Sequence, residues 1–449
     1  MHHAQDVGMH PSWNGNRYEW EPLGLNNLLE DLQRNNPQRE SVGSTELLSQ
    51  GCSVIDLLEL LATNTHVHTL CLYLTPMSAA GHDMFQWMLE TNTTITTGNF
   101  HAYIRLDGWG GFQLAAGIRA HPGFRHLNLS CNQLYTTEIE CLADALATQE
   151  NLESLNLRSS LRHADFPATI QVCRSLQMCV RLKSLNLARC VLRHECVEIL
   201  KPLLQDGQIE YLDVGGCFEQ SSVGAVVLGY LNNRIVDLNF NGNNPGADCA
   251  EEIRLFLLRN QKVTSLKMCH EDHAILQITI LMAARQHPTL VHLQVGAEYS
   301  WTEANTPASG LVLESIRHIK YAIENNGVLR SITFDMGVLR SIALRLTDHH
   351  AGALTDLYQV IAHTPRLHTI DVEERLHDCQ GPGYQAFHRL QKRRWWSILN
   401  MFTLGTRRRS VTNLPTCWLW LLQGEPALQI GVKYFLGAKE IGDVFKLTA

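Results

Sequence analysis

The chain is 449 residues long, with 45% hydrophobic and 18% charged residues, which excludes general disorder. Its 37 Lys and Arg against 44 Asp and Glu give a net charge of −7, which excludes a chain-wide nucleic-acid footprint. Its 13 cysteines are odd in number and form no CxxC pair, so they make no disulfide framework; Cys141, Cys196 and Cys249 read as small buried hydrophobes in a reducing compartment.

Taken in chain order, Met1 to Trp20 is polar, with no apolar core of a cleavable signal peptide. The expected localisation is cytoplasmic at synthesis. Residues 1–53 read as an N-terminal cap with a helix over Leu23–Leu32. From residue 54 to 375 a template L-x-x-L-x-L-x-x-N/C recurs. Its clearest copies are Phe124-Leu127-Leu129-Asn132, Leu152-Leu155-Leu157-Ser160, Leu182-Leu185-Leu187-Cys190, Ile209-Leu212-Val214-Cys217 and Ile235-Leu238-Phe240-Asn243. Weaker copies begin at Val67, Ile95, Val263, Leu290, Leu329 and Leu367, which makes eleven units. The first nine are spaced about 28 residues apart, and the last two steps are 39 and 38. Each unit also carries a helical stripe, such as Ile139, Leu142, Ala143 and Leu146, or Cys196, Ile199, Leu200 and Leu203.

A lone strand and helix cannot bury its apolar face, so the units must stack. The expected fold class is α/β: a solenoid with parallel strands on a concave inner wall and helices on the convex outer wall. Helices are wider than the strand spacing, so the stack bends into a horseshoe. Position nine wants a short polar side chain to satisfy the backbone of the loop leaving the strand.

This period, the helix in each unit and the Asn or Cys at position nine resemble the ribonuclease-inhibitor class of leucine-rich repeats. The chain is also similar to repeat regions of bacterial effectors delivered into host cells. The resemblance implies a protein-binding scaffold, and delivery without a cleavable signal.

In each unit, positions three, five and seven face the concave side. The predicted partner-binding residues are Tyr73, Asn128, Asn156, Arg158, Asn186, Tyr211, Asp213, Asp237, Asn239 and Lys267, joined by Trp301 in the turn-rich insertion 299–310. This wall is polar, amide-rich and not basic, so it suits a protein partner and no nucleic acid. Two readings stay open: the amide row solvates the wall and touches nothing, or it is a long hydrogen-bonding surface. A second insertion, 338–351, has room for an extra strand at Ile342–Leu346.

Residues 376–449 break the period and read as a basic, Trp-rich cap or appendage. They carry ten basic against four acidic residues, and four of the nine Trp. Either Trp395, Ile398, Leu399 and Phe402 seal the end of the solenoid, or a basic amphipathic helix over 391–402 contacts a membrane or a partner through Trp395, Trp396 and the flanking Arg393 and Arg394. No phosphate-cradling, nucleophile-elbow or zinc-protease motif occurs, so no catalytic residue, metal or cofactor is assigned. His270 and His273 are too few for a metal. The alternative is an enzyme in which Cys379 or Cys417, near His377 or His388, acts in the tail while the repeats choose the substrate. Substituting either cysteine by alanine separates the two readings. Partner identity and oligomeric state are not legible.

Overall fold

The computed structural model describes residues 28–43, 54–72, 77–102, 109–243, 247–268, 274–295, 309–329, 331–334, 360 and 369–372. The chain divides into two compact units, residues 1–338 with 366–373, and residues 339–365 with 374–449. Of the second unit only Val360 is among the described residues. Tyr73, Trp301, residues 299–308 of the first insertion, the 338–351 insertion, His270, His273 and the whole 376–449 tail lie outside them.

The first unit is a single repeat lattice. Helix α1 (Leu28–Gln33) leads into β1 (Ser41–Gly43), and then each helix alternates with a strand. The strands are β2 (Thr69–Cys71), β3 (Thr97–Asn99), β4 (His126–Asn128), β5 (Ser154–Asn156), β6 (Ser184–Asn186) and β7 (Tyr211–Asp213), followed by β8 (Asp237–Asn239), β9 (Ser265–Met268), β10 (His292–Val295), β11 (Ser331–Phe334) and β12 (Thr369–Val372). The helices between them are α2 (Val54–Thr63), α3 (Ala79–Thr91), α4 (Trp109–Ala120), α5 (Thr136–Leu146), α6 (Phe166–Leu176) and α7 (His194–Gln205), then α8 (Ser221–Tyr230), α9 (Ala247–Arg259), α10 (Ala274–Ala284) and α11 (Ser309–Asn325).

The twelve strands form one open parallel sheet in strict sequence order. Register follows the repeat without a slip: Leu127 pairs Leu155, Leu155 pairs Leu185, and Leu185 pairs Leu212. All eleven predicted strands are present in that register. One strand was not foreseen: Val42 of β1 pairs Leu70 of β2, so the lattice starts inside the segment read as a cap. Its first template position holds Arg39, whose guanidinium pairs with Asp31 2.8 Å away, so the hydrophobic signature is missing there. The described part of the predicted Leu23–Leu32 helix is α1, from Leu28.

The core lies between sheet and helices. Every described residue at template positions one, four and six from Phe124 to Phe240 is buried, as is the helical stripe Ile139, Leu142, Ala143 and Leu146. Two expectations need correction. Ile199 is half-buried, because the α7 stripe runs through Cys196, Val197, Leu200, Leu203 and Leu204 instead. Cys141 is exposed, since it falls two residues after Ile139 and so leaves the stripe for the solvent face.

The weak third unit has a specific packing reason. Gly98 stands where its neighbours carry Leu, and the Phe100 ring fills the vacated volume. Phe100 stacks edge-on with Phe85 and Phe124, at centroid separations of 5.2 and 6.2 Å. Helix starts are fixed locally: the Ser78 side chain caps α3 through Gly81 N, and the Asp165 side chain caps α6 through Ala168 N.

Candidate functional site

Two buried ladders hold the strand ends and thereby set the sheet face. The first is the expected position-nine ladder. Asn132 Nδ2 donates to Phe100 O (2.9 Å), Ser160 Oγ to Leu129 O (2.5 Å), Cys190 Sγ to Leu157 O (3.2 Å) and Cys217 Sγ to Leu187 O (2.8 Å). Asn243 Nδ2 donates to Val214 O at 2.9 Å. Each rung therefore reaches the sixth template position of the preceding unit. Cysteine serves here as a weak sulfur donor, which explains its place in the motif. Burial pushes the Cys190 thiol up to about 11, so it stays protonated and able to donate.

The second ladder, at the other strand end, was missed. Three residues before nine of the eleven units stands Asn64, Asn92, His121, Gln149, Cys179, Asn232, Asn260, His287 or Asn326, whereas the Ile209 unit has Asp206 there. Asn92 Nδ2 donates to Leu61 O (2.7 Å), Gln149 Nε2 to Ile118 O (2.7 Å) and Asn326 Nδ2 to Ala284 O (2.6 Å). These satisfy carbonyls at or near the C-terminal end of the preceding helix. Meanwhile the Oδ1 atoms of Asn64, Asn92, Asn260 and Asn326 accept the N–H of the first template residue, Val67, Ile95, Val263 and Leu329, two residues before the strand. The signal was legible as Asn-x-x-Val/Ile/Leu recurring at the unit boundary.

Between the ladders lies the sheet face. Positions three and five alternate with the buried position four, as the sequence predicts. Asn128, Asn156, Asn186, Asp213, Asn239 and Lys267 stand side by side at position five and are half-buried. Part of their hydrogen-bonding capacity is spent at home. The Oδ1 atoms of Asn128, Asn156, Asn186, Asp213 and Asn239 each accept the backbone N–H two residues on, at 2.9–3.1 Å. Laterally, Asn128 Nδ2 donates to Asn99 Oδ1 (3.0 Å), and Asn186 Nδ2 to Asp213 Oδ2 (3.2 Å).

The charges on this face are few and close together. Burial raises the carboxyl pKa of Asp213, opposed by the Gly215 N–H, Asn239 and the positive charges of Arg158 and Lys267. Burial also raises Asp237, opposed by Lys267 and a bond to Ser265. Tyr211 is half-buried on β7, adjacent to Asp237 on β8. Arg158 projects at position seven of its unit and is half-buried.

His101 Nδ1 lies 2.7 Å from Ser130 Oγ, which invites comparison with a nucleophile and its base. Ser130 donates instead to Asn128 Oδ1 (2.6 Å) and is only 3% exposed, so no substrate reaches it. Among the described residues no group of three or more His, Cys, Asp and Glu is arranged to hold a metal. A cleft of about 500 Å³ opens at the rim between α7 and α8, lined by Leu192, Arg193, His194, Glu195, Glu219 and Val223.

Consecutive parallel strands in register, one helix per unit and a buried position-nine ladder define a leucine-rich-repeat solenoid. No family model matches the chain, and no curated protein matches it. Among solved structures it is similar to the leucine-rich repeat-containing protein LegL7 from Legionella pneumophila, with 15% identity, a TM-score of 0.39, and coverage of 76% of this chain and 94% of that one. The class assignment stands on the register and the ladders of this chain. Among the described residues no helix is long and apolar enough to cross a membrane.

Proposed function

We propose that this chain is a non-catalytic scaffold that holds a protein partner on the sheet face of its repeat lattice. One observation carries the reading. Position four of each strand from β4 to β9 is buried in the core with the helical stripes, while position five on the opposite face carries half-buried polar side chains that repeat at the strand spacing of about 4.8 Å. Repeat solenoids use such extended faces for binding. The half-buried amides line this wall, and Tyr211 and Arg158 add two of the residue types that dominate interface energetics. The fold suits an interaction protein, and a role as a host-directed effector rests on the resemblance alone. The enzyme and membrane alternatives, with Cys379, Cys417, Trp395 and Trp396, rest on residues outside those described.

The test compares partner capture by the intact chain, by Tyr211→Ala/Arg158→Glu on the sheet face, and by Glu140→Lys/Lys201→Glu on the helix side. Capture lost only with the sheet-face pair is the expected result. Equal capture by the sheet-face pair and the intact chain would overturn the proposal.

A further inference from the structure

The second ladder is a place for two hydrogen-bond donors. Asn92 Nδ2 donates to Leu61 O (2.7 Å) and Asn64 O (3.0 Å), Asn260 Nδ2 to Ile235 O (2.9 Å) and Asn232 O (3.4 Å), and Asn326 Nδ2 to Ala284 O (2.6 Å) and His287 O (3.3 Å). An amide does this without charge, because its nitrogen carries two hydrogens. At His121 the lattice puts an imidazole in the same place. Its Nδ1 lies 3.1 Å from Leu89 O and its Nε2 2.6 Å from Ile95 O. Both partners are backbone carbonyls, which only accept. A neutral imidazole carries one N–H and can satisfy one of them.

Neither carbonyl has an alternative. Among the described residues nothing else donates to Leu89 O or Ile95 O, and Leu89, Ile95 and His121 are 0%, 0% and 2% exposed. A neutral ring would leave one buried carbonyl bare and aim a nitrogen lone pair at it. The backbone around the ring also favours positive charge. Leu89 lies in the last turn of α3 and His121 directly follows α4, so the ring sits at two helix C-termini. His287 fills the same ladder position with the opposite outcome. Its Nε2 donates to Asn260 O (2.7 Å) while its Nδ1 accepts the Thr289 N–H (3.4 Å), a set that a neutral ring completes.

The charged and titratable groups on the elements around His121 are Glu90 on α3, Arg119 on α4, His68 and Arg125 on the flanking strand segments, and Glu150 beside Gln149. All five are exposed, and Glu90 accepts from Gln86. Among the described residues none forms an ion pair with His121. Carbonyl dipoles, and no counter-ion, therefore face the ring. We propose that His121 is an imidazolium in the folded chain, that it ties the ends of α3 and α4 to the start of the Ile95 unit by donating both ring protons, and that losing one of them opens this joint as pH rises. The folded state keeps a proton that the unfolded chain releases, so the contribution is present at low pH and is lost on going alkaline.

The experiment uses the full chain with 15N in its 22 histidine rings. Long-range proton–nitrogen spectra at about pH 8.5, where only about 1% of a free imidazole is charged, reveal any ring that still carries two N–H groups. One such ring, lost in His121→Asn and kept in His287→Asn, is the expected result; His121→Gln, matching Gln149, makes the same assignment through a second side chain. The absence of any such ring from the intact chain, or its persistence in the His121 variants, overturns the proposal. Amide hydrogen exchange over residues 88–99, corrected for intrinsic base catalysis, reads the joint. Protection should fall about tenfold or more between about pH 7 and about pH 10 in the intact chain, and stay level in His121→Asn, whose amide supplies two uncharged donors. Equal pH dependence in the two chains overturns the role of His121 in the joint.

Discussion

Restoring the repeat consensus at Gly98 should harm the protein. Leucine occupies this template position in β2 and in β4 to β10, and a buried leucine normally contributes about 1.5–3 kcal/mol. A Cβ at Gly98, however, would lie 2.6 Å from Phe100 Cε2, 2.8 Å from Phe100 Cζ and 3.0 Å from Phe124 Cε1. These are ring atoms in a fully buried edge-on stack, 0% exposed at Phe85, Phe100 and Phe124, so they have nowhere to retreat. Overpacking of this kind costs about 1–3 kcal/mol, and the three further carbons of leucine put Gly98→Leu at the upper end. Phe100→Leu alone opens a cavity and also destabilises. Together, Gly98→Leu/Phe100→Leu exchange one ring for two aliphatic side chains of similar total size, so the pair should be less harmful than the sum by about 0.5–3 kcal/mol. Long repeat arrays lose two-state cooperativity, so the readout is local. Amide hydrogen exchange across β2 to β4 in the intact chain, with urea midpoints alongside, measures it. A more stable Gly98→Leu variant, or zero coupling to Phe100, would refute the packing account.

Three further outcomes follow from the ladders and the wall. Asn243→Ala strands the Val214 and Phe240 carbonyls and the Cys217 and Phe218 N–H groups, each within 3.0 Å of the amide. At about 1–3 kcal/mol per buried unsatisfied group, several kcal/mol should vanish and β7–β8 exchange should accelerate; Asn243→Asp, which keeps only the acceptor, should lose part of this. Asp213→Asn should stabilise the chain at neutral pH by about 0.5–2 kcal/mol, because it restores the amide that neighbouring strands carry. The carboxyl pKa is raised on folding, so the folded state holds its proton more tightly. The gain should therefore shrink as pH falls from the raised value toward 3.8, and thermal melts across that range check it. His287 runs the opposite way: burial lowers its pKa from 6.5 while Nε2 sits 2.7 Å from Asn260 O. Its contribution is present above pH 6.5 and is lost as pH drops toward the lowered value. His287→Asn, matching the ladder residue at Asn260 and Asn326, should flatten that acid loss, and an unchanged pH profile would exclude the cause.

The spacing of apolar residues sufficed for the strands, because a 28-residue period leaves a repeating unit only one face to bury. It also sufficed for the position-nine ladder and for which residues share the sheet face with Asn128, Arg158 and Lys267. Local pattern failed wherever a neighbour in space replaced a residue in sequence. At Gly98 the missing leucine is supplied by Phe100, at Arg39 an ion pair with Asp31 stands in for an apolar anchor, and at Cys141 the stripe passes beside the residue. The second ladder escaped because Asn, His, Gln and Cys do the same work through different atoms, and only the helix carbonyls they meet make them equivalent. Whether an amide on the wall is spent within the fold or left for a partner was likewise decided by tertiary contacts. Asn186 turned out to donate to a carboxylate one strand away, because hydrogen bonds between units depend on distances across the stack that no linear pattern encodes.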